Sequence, residues 1–118
     1  LGDTDVGALA LDPTGAVYVR EALGQNGSIL VTGTSAVTAS YGKFVAIQFL
    51  EDTVFNSTNG LVATDAGRWP DDGDAGADIS SNGAVSDSVT FPQGMTIFGR
   101  WDSFILASGK VIAYVGNV

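Results

Sequence analysis

The sequence predicts an all-β fold, and three observations support this prediction. Short runs rich in β-branched and aromatic residues are separated by turns that contain glycine, proline or asparagine. Glycine accounts for 16 of the 118 residues, which suits a chain with many tight turns. No segment shows the spacing of apolar residues that indicates an amphipathic helix. About eight short strands are expected to form one antiparallel, jelly-roll-like β-sandwich domain over residues 1–118.

The first half of the chain contains several predicted strands. Residues 1–20 are interpreted as an N-terminal arm and hairpin, because the turn at residues 12–15 has Asp, Pro and Gly where a type I turn favours them. Residues 28–38 are predicted to be strands. Residues 41–50, continued by 51–55, are predicted to be a buried strand. A helix is the competing interpretation of 41–50, because periodicity alone cannot decide short apolar runs.

The C-terminal region is predicted to be the centre of the sheet. A turn at residues 92–94 precedes a strand at 95–101. Two further apolar runs, 104–106 and 111–115, flank a short segment that contains glycine, and this pattern predicts a β-hairpin. Three consecutive strands can bury one face of a sheet, whereas two alone are marginal.

Residues 64–87 differ from the rest in composition, since they are rich in aspartate and glycine and poor in large apolar residues. They are predicted to form a long, exposed acidic loop. Carboxylates that alternate with glycine can wrap a hard cation, although this spacing does not match an EF-hand. The alternative is a solvated acidic loop without a cation, and no cofactor is expected. The candidate cation ligands are Asp71, Asp72, Asp74 and Asp78.

Charge and composition argue against several classes of function. The net charge is −8 and the five basic residues are scattered, so the basic stripe of a nucleic-acid-binding protein is missing. The chain has no cysteine and no histidine, which excludes the Ser/His/Asp and Cys/His catalytic arrangements. The sequence has neither an apolar run long enough to span a bilayer nor a signal-peptide pattern. We therefore expect a protein that is not an enzyme and does not bind a membrane.

Two pairs of neighbouring residues are candidates for contact with a partner protein. Trp69 lies in a polar segment where it is hard to bury, and Trp and Arg are the residue types that most often dominate interfaces. Arg68 and Trp69 are therefore the favoured pair. Arg100 and Trp101 are a second pair, expected at a sheet edge or a subunit contact. The alternative is that the aromatic residues of strands belong to the core.

Two stretches resemble a known group of proteins. They are GKFVAIQFLEDTVF at residues 42–55 and FPQGMTIFGRW at residues 91–101, the latter followed by SGKVIAY at 108–114. These patterns of turn and apolar residues resemble small β-rich virion proteins of tailed bacteriophages, in particular head-decoration (cement) proteins. About a third of the chain is covered by this resemblance.

The resemblance implies a structural role. Proteins of this group sit outside the icosahedral shell, commonly as trimers, and bridge subunits of the major capsid protein. The chain is then expected on the exterior of the virion, after synthesis in the cytoplasm of the host bacterium. The alternative is a small phage fibre, spike or carbohydrate-binding β-sandwich that uses Trp69 and the aspartate-rich loop as its contact surface.

Overall fold

The computed structural model describes residues 26–73 and 83–116 of the chain. Within these ranges the protein is all-β, as predicted, apart from a single turn of 3-10 helix at Ser86–Ser88. The predicted arm and hairpin at residues 1–20 lie outside the described residues. The strands are β1 (Ser28–Val31), β2 (Val37–Thr38), β3 (Lys43–Phe49), β4 (Thr53–Phe55), β5 (Leu61–Ala63), β6 (Thr90–Phe91), β7 (Thr96–Phe104), β8 (Leu106–Ser108) and β9 (Val111–Gly116).

The strands form two antiparallel sheets. The larger sheet has the order β1-β9-β3-β7-β2, and β5 also pairs with β7. The smaller sheet has the order β6-β4-β8. All the described pairings are antiparallel, which confirms the prediction of an antiparallel, sandwich-like fold.

One bent pair of strands connects the two sheets. β3 pairs with β9 in the larger sheet, and their continuations β4 and β8 pair in the smaller sheet. The segment between β3 and β4 and the segment between β8 and β9 cross from one sheet to the other side by side. The Leu50 amide of the first donates to the Lys110 carbonyl of the second over 2.8 Å. Gly109 has a φ of +99°, and a Cβ there would lie 2.3 Å from Thr53 Oγ1. Glycine is therefore the residue that fits this corner.

The prediction that residues 104–106 and 111–115 pair with each other as a β-hairpin is wrong. Both runs are extended, as predicted, but they do not pair with each other. Phe104 ends β7, β8 pairs with β4 in the smaller sheet, and β9 pairs with β1 and β3 in the larger sheet. The short segment between β8 and β9 carries the chain from one sheet to the other, whereas a hairpin turn would have kept both strands in one sheet.

The structure also decides the predictions for residues 41–55 and for the turn at residues 92–94. Residues 41–50 contain a strand, Lys43–Phe49, which excludes the helical alternative. Residues 51–55 do not extend that strand within its sheet, because the chain crosses after Phe49 and begins β4 in the other sheet. The turn predicted at residues 92–94 is confirmed, since the Met95 amide donates to the Pro92 carbonyl and Gly94 has a φ of +88°.

Aromatic rings fill the space between the two sheets. Phe49 in the larger sheet stacks on Phe91 in the smaller one, with 4.9 Å between ring centroids. Phe55 meets the Phe91 ring edge-on at 5.4 Å. The register of β7 against β5 shifts between Trp101 and Phe104, and this irregularity lets two side chains three residues apart both reach the core. Edge-on and offset ring pairs of this kind stabilise a core beyond the area that they bury.

Candidate functional site

The outer face of the larger sheet, the side away from the core, carries a group of apolar side chains. Their common side follows from the register, because residues directly opposite each other on paired strands project to the same face. Several of their neighbours along the strands, such as Val31, Ile47 and Ala113, are buried core residues that project to the other face. The register places Leu30 opposite Ile112, Tyr114 opposite Ala46, and Ala46 opposite Phe98. We call these five apolar residues the outer face. The same rows of the sheet also hold the polar residues Ser28, Gln48 and Thr96.

Two residues of the outer face are strongly exposed. Phe98 retains 69% of its accessible surface and Leu30 retains 61%. Ile112 and Tyr114 are half-buried, and Ala46 is buried. A sheet face directed to water is normally polar, whereas an apolar group of this kind marks a surface that binds another molecule. The outer face is therefore the best candidate for a functional surface among the described residues.

The four strands that carry the outer face contain three charged residues, Lys43, Arg100 and Asp102, whose charges sum to one positive charge. Lys43 and Asp102 form an ion pair between β3 and β7 and neutralise each other. Arg100 is exposed and adjoins the inward-facing Trp101, so it projects to the outer side. The described strands of the outer face therefore carry a small positive charge, in a chain whose net charge is −8.

The two predicted contact pairs have different positions. Trp101 is fully buried, and its Nε1 donates to the Pro70 carbonyl over 2.8 Å. It is therefore a core residue and is not available to a partner, contrary to the predicted subunit contact. Trp69 is partly buried against the core, and the Arg100 guanidinium lies 5.8 Å from the centre of its ring. Arg68 is exposed and forms a 3.4 Å ion pair with Asp65.

Gly99 allows the two tryptophans to approach β7. A Cβ at this position would lie 2.7 Å from Trp69 Cδ1 and 2.8 Å from Trp101 Cη2. Contacts this short do not occur in real structures, so the packing of both indoles requires glycine here. Trp69 is thereby fixed beside Arg100 and against the core side of β7.

Two of the four candidate cation ligands accept hydrogen bonds from backbone amides of their own chain. Asp71 is buried, and its carboxylate accepts hydrogen bonds from the Ala63 and Gly73 amides at 2.8 and 3.0 Å. The Asp72 carboxylate accepts from the Asn59 amide. Both aspartates thus hold the start of the acidic segment against β5 and the turn before it. The burial of Asp71 departs from the predicted exposed loop.

The cation hypothesis itself stays a prediction. Asp74 and Asp78 lie outside the described residues, so the structure does not bring the four carboxylates together. Within residues 26–73 and 83–116, no three side chains of the His, Cys, Asp or Glu type converge as a metal site would require.

A groove lies at the edge of the larger sheet, between β1 and the segment that follows β2. Its volume is about 230 Å³. Phe44 and Val115 are core residues that reach this groove, and Ile29 and Tyr41 are exposed at its border. The Tyr41 hydroxyl donates to the Asn26 carbonyl over 2.8 Å, which ties the groove to the start of the described chain. None of the eight residues that line the groove is charged.

Sequence reasoning missed Phe98 and Leu30 as functional candidates, although a signal for them was present. The run Val-Ile-Ala-Tyr-Val at residues 111–115 is apolar at every position, with no polar alternation. Continuous apolar strands are typical of sheets that are covered on both faces. This pattern predicts a second covered face, and the residues opposite Ile112 and Tyr114 belong to that face.

Comparison with known proteins identifies no family for this chain. A scan against protein-family models and searches of curated proteins and of solved structures each found no match to this chain. Among the residues with described structure, no helix is long and apolar enough to cross a bilayer.

Proposed function

We propose that this chain is a structural, non-enzymatic protein of a tailed-bacteriophage head, a decoration or cement protein that works by fitting against other protein subunits. The observation that carries the proposal is the exposed apolar outer face, with Phe98 and Leu30 projecting from a sheet whose other side is a packed core. Such a surface gains free energy when a partner covers it, at roughly 25 cal/mol per Å² of apolar area.

The strands themselves support a covered outer face. In β9, Val111, Ala113 and Val115 are buried, while Ile112 and Tyr114 project to the other side and remain half-buried. A strand with apolar residues on both sides is expected where both faces of the sheet are covered. Within the described residues, the smaller sheet covers one face and leaves Phe98 and Leu30 exposed on the other.

The proposal takes its partner and location from the resemblance of residues 42–55, 91–101 and 108–114 to phage head proteins. On this basis the partners are subunits of the major capsid protein and further copies of this chain, on the outside of the virion. A protein that binds only the expanded shell stabilises that state by mass action. The gain is about 2.7 kcal/mol per site when the free protein is at 100 times its Kd.

Two groups of contacts support this proposal over a sugar-binding or fibre module. The carbohydrate alternative relied on Trp69 as a stacking platform, but the Arg100 guanidinium lies over this ring and Gly99 packs against the indole. It also relied on the aspartate-rich loop, and the carboxylates of Asp71 and Asp72 are engaged by backbone amides of their own chain. Trp69, Asp71 and Asp72 thus have structural roles within the subunit.

The test uses virions that carry the gene for this chain. Mass spectrometry of purified particles should detect the chain, and electron cryomicroscopy should show its β-sandwich on the outer surface of the head. Purified protein should also co-sediment with expanded heads that lack it and bind unexpanded heads more weakly. Absence from the particles, or density confined to the tail, would contradict the proposal.

A further inference from the structure

We infer that the groove beside β1 is the docking site of residues 16–19 of the same chain, with the valines of that segment filling it. The inference goes beyond the proposed function and does not depend on it, since it concerns a contact within one subunit. Three features carry it: the apolar surface of the groove, the point at which the preceding chain reaches the groove, and the sequence of that chain.

The groove is an apolar gap on the core side of the larger sheet. Phe44 and Val115 lie opposite each other on β3 and β9, and both are buried residues that line it. Ile29 also lines the groove, and the register places it opposite the buried Ala113, in a row that faces the core. Ile29 nevertheless retains 40% of its accessible surface. A segment that covers this end of the core would remove apolar surface from water and stabilise the subunit.

The preceding chain enters the described structure directly at this groove. The Asn26 amide donates to the carbonyl of Val115 over 3.2 Å, and the Asn26 carbonyl accepts from the Tyr41 hydroxyl over 2.8 Å. Val115 and Tyr41 both line the groove. Asn26 is therefore held between two groove residues, and the 25 residues that precede it in the sequence are attached at the place where the core is open.

This attachment favours a segment of the same chain over a separate molecule. Residues 20–25 connect the segment to Asn26 and can span up to roughly 20 Å, whereas the four residues of β1 extend over only about 13 Å. A segment joined to its site by a short linker has an effective concentration in the millimolar range. Residues 8–11 are also apolar, but their linker is longer, and effective concentration falls with linker length.

The sequence of the segment matches the groove in polarity. Residues 16–19 read Ala-Val-Tyr-Val and carry no charge, and none of the residues that line the groove is charged. Docking therefore buries no unpaired charge, which would oppose it. Val17 and Val19 project to the same side when the segment is extended, so both can enter the groove together.

The first experiment is disulfide trapping in the full chain. The chain has no cysteine, so two introduced cysteines have only each other as partners within one molecule. Val17→Cys and Val19→Cys are each combined with Ile29→Cys and exposed to a mild oxidant. At least one pair is expected to form a disulfide within a single chain, which requires Cα atoms within about 7 Å. Non-reducing electrophoresis and mass spectrometry of the linked peptides detect it.

The matched control for trapping combines Val19→Cys with Leu50→Cys. Leu50 is exposed and follows the end of β3 that is remote from Phe44, so this pair should stay reduced. Circular dichroism of each reduced variant shows whether its fold is intact.

The second experiment needs no cysteine and compares two substitutions that add the same charge. Val19→Asp places a carboxylate in the apolar groove and should lower the Tm by about 3 °C or more. Thr14→Asp adds the same charge at a polar turn position of the same segment and should leave the Tm nearly unchanged.

Each outcome supports or overturns the inference. Disulfides that link two chains would assign the groove to a segment of another copy and overturn it. Trapping with Ile29→Cys that is no greater than with Leu50→Cys would overturn it as well, as would equal Tm values for Val19→Asp and Thr14→Asp. Binding of the chain to expanded heads tests the proposed function separately, so either conclusion can fail without the other.

Discussion

The two faces of the larger sheet are built from the same strands but have different surroundings. On β7, Phe104 faces the smaller sheet and is 0% exposed, while Phe98 projects from the opposite face and is 69% exposed. The same residue type on the same strand is thus a core residue at one position and a surface residue at the other. The difference shows that apolar residues in the sequence identify a strand, whereas the position of the smaller sheet determines which face of that strand is buried.

Replacement of Phe104 by alanine should have the largest effect. The side chain is fully buried and its ring meets the Phe44 ring edge-on at 5.2 Å, so the substitution leaves a cavity in the core. We expect the free energy of unfolding to fall by about 3–5 kcal/mol, measured by denaturant titration. Phe104→Leu, which retains most of the volume, should lose less. A loss below 1 kcal/mol for the alanine variant would contradict the placement of the core.

Gly99→Ala should have the next largest effect, because it disturbs the junction between the two faces. The added Cβ would meet both Trp69 and Trp101 at distances under 3 Å, and neither indole has a flexible end that could move away. We expect a loss of about 1–3 kcal/mol in the free energy of unfolding and a change in tryptophan fluorescence. Gly33→Ala is the control, since a Cβ there meets no atom within 4 Å. Equal stability of the two variants would argue against the packing of the indoles around Gly99.

Asp71→Asn tests the start of the acidic segment. The carboxylate accepts two backbone hydrogen bonds in a buried position, and an asparagine side chain can offer an acceptor to only one of them. We expect a loss of about 1–3 kcal/mol in the free energy of unfolding. The control is Asp65→Asn, because Asp65 is exposed and its ion pair with Arg68 is exposed as well, so its loss should be small. If both variants were equally stable, the assigned role of Asp71 would be wrong.

The sequence was sufficient to predict the fold class, most of the described strands and the turn at residues 92–94. These features depend on local chemistry, such as β-branched residues in the strands and a glycine with positive φ at position 94. Strand pairing was not predictable in the same way. The segment between Ser108 and Val111 resembles a hairpin turn, and the feature that makes it a crossing between sheets is its packing on Thr53, which is 56 residues away from Gly109 in the sequence.

The candidate site was predicted less well, for a related physical reason. The sequence indicates Trp69 and Trp101 as contact residues because tryptophan is frequent in interfaces, but whether an indole is exposed depends on what packs on it. Here Trp101 is buried beneath the chain at Pro70. Phe98 and Leu30 became candidates only with the register, since cross-strand pairing through β3 and β9 is what places them on one face. The bulges in β3 and β7 also break the simple alternation that a sequence pattern assumes.

Phe98→Ala should have the smallest effect on the stability of the isolated subunit. At protein concentrations too low for association, the free energy of unfolding should change by no more than about 0.5 kcal/mol, because most of the ring is already in water. If a second copy covers this residue, the wild-type chain gains stability with concentration by mass action, and the variant gains less. The difference between the two proteins should therefore grow with concentration, which thermal unfolding over a dilution series can measure. A loss at low concentration as large as that of Phe104→Ala would mean that the subunit itself covers its outer face. The distinction between the two faces of the sheet would then fail.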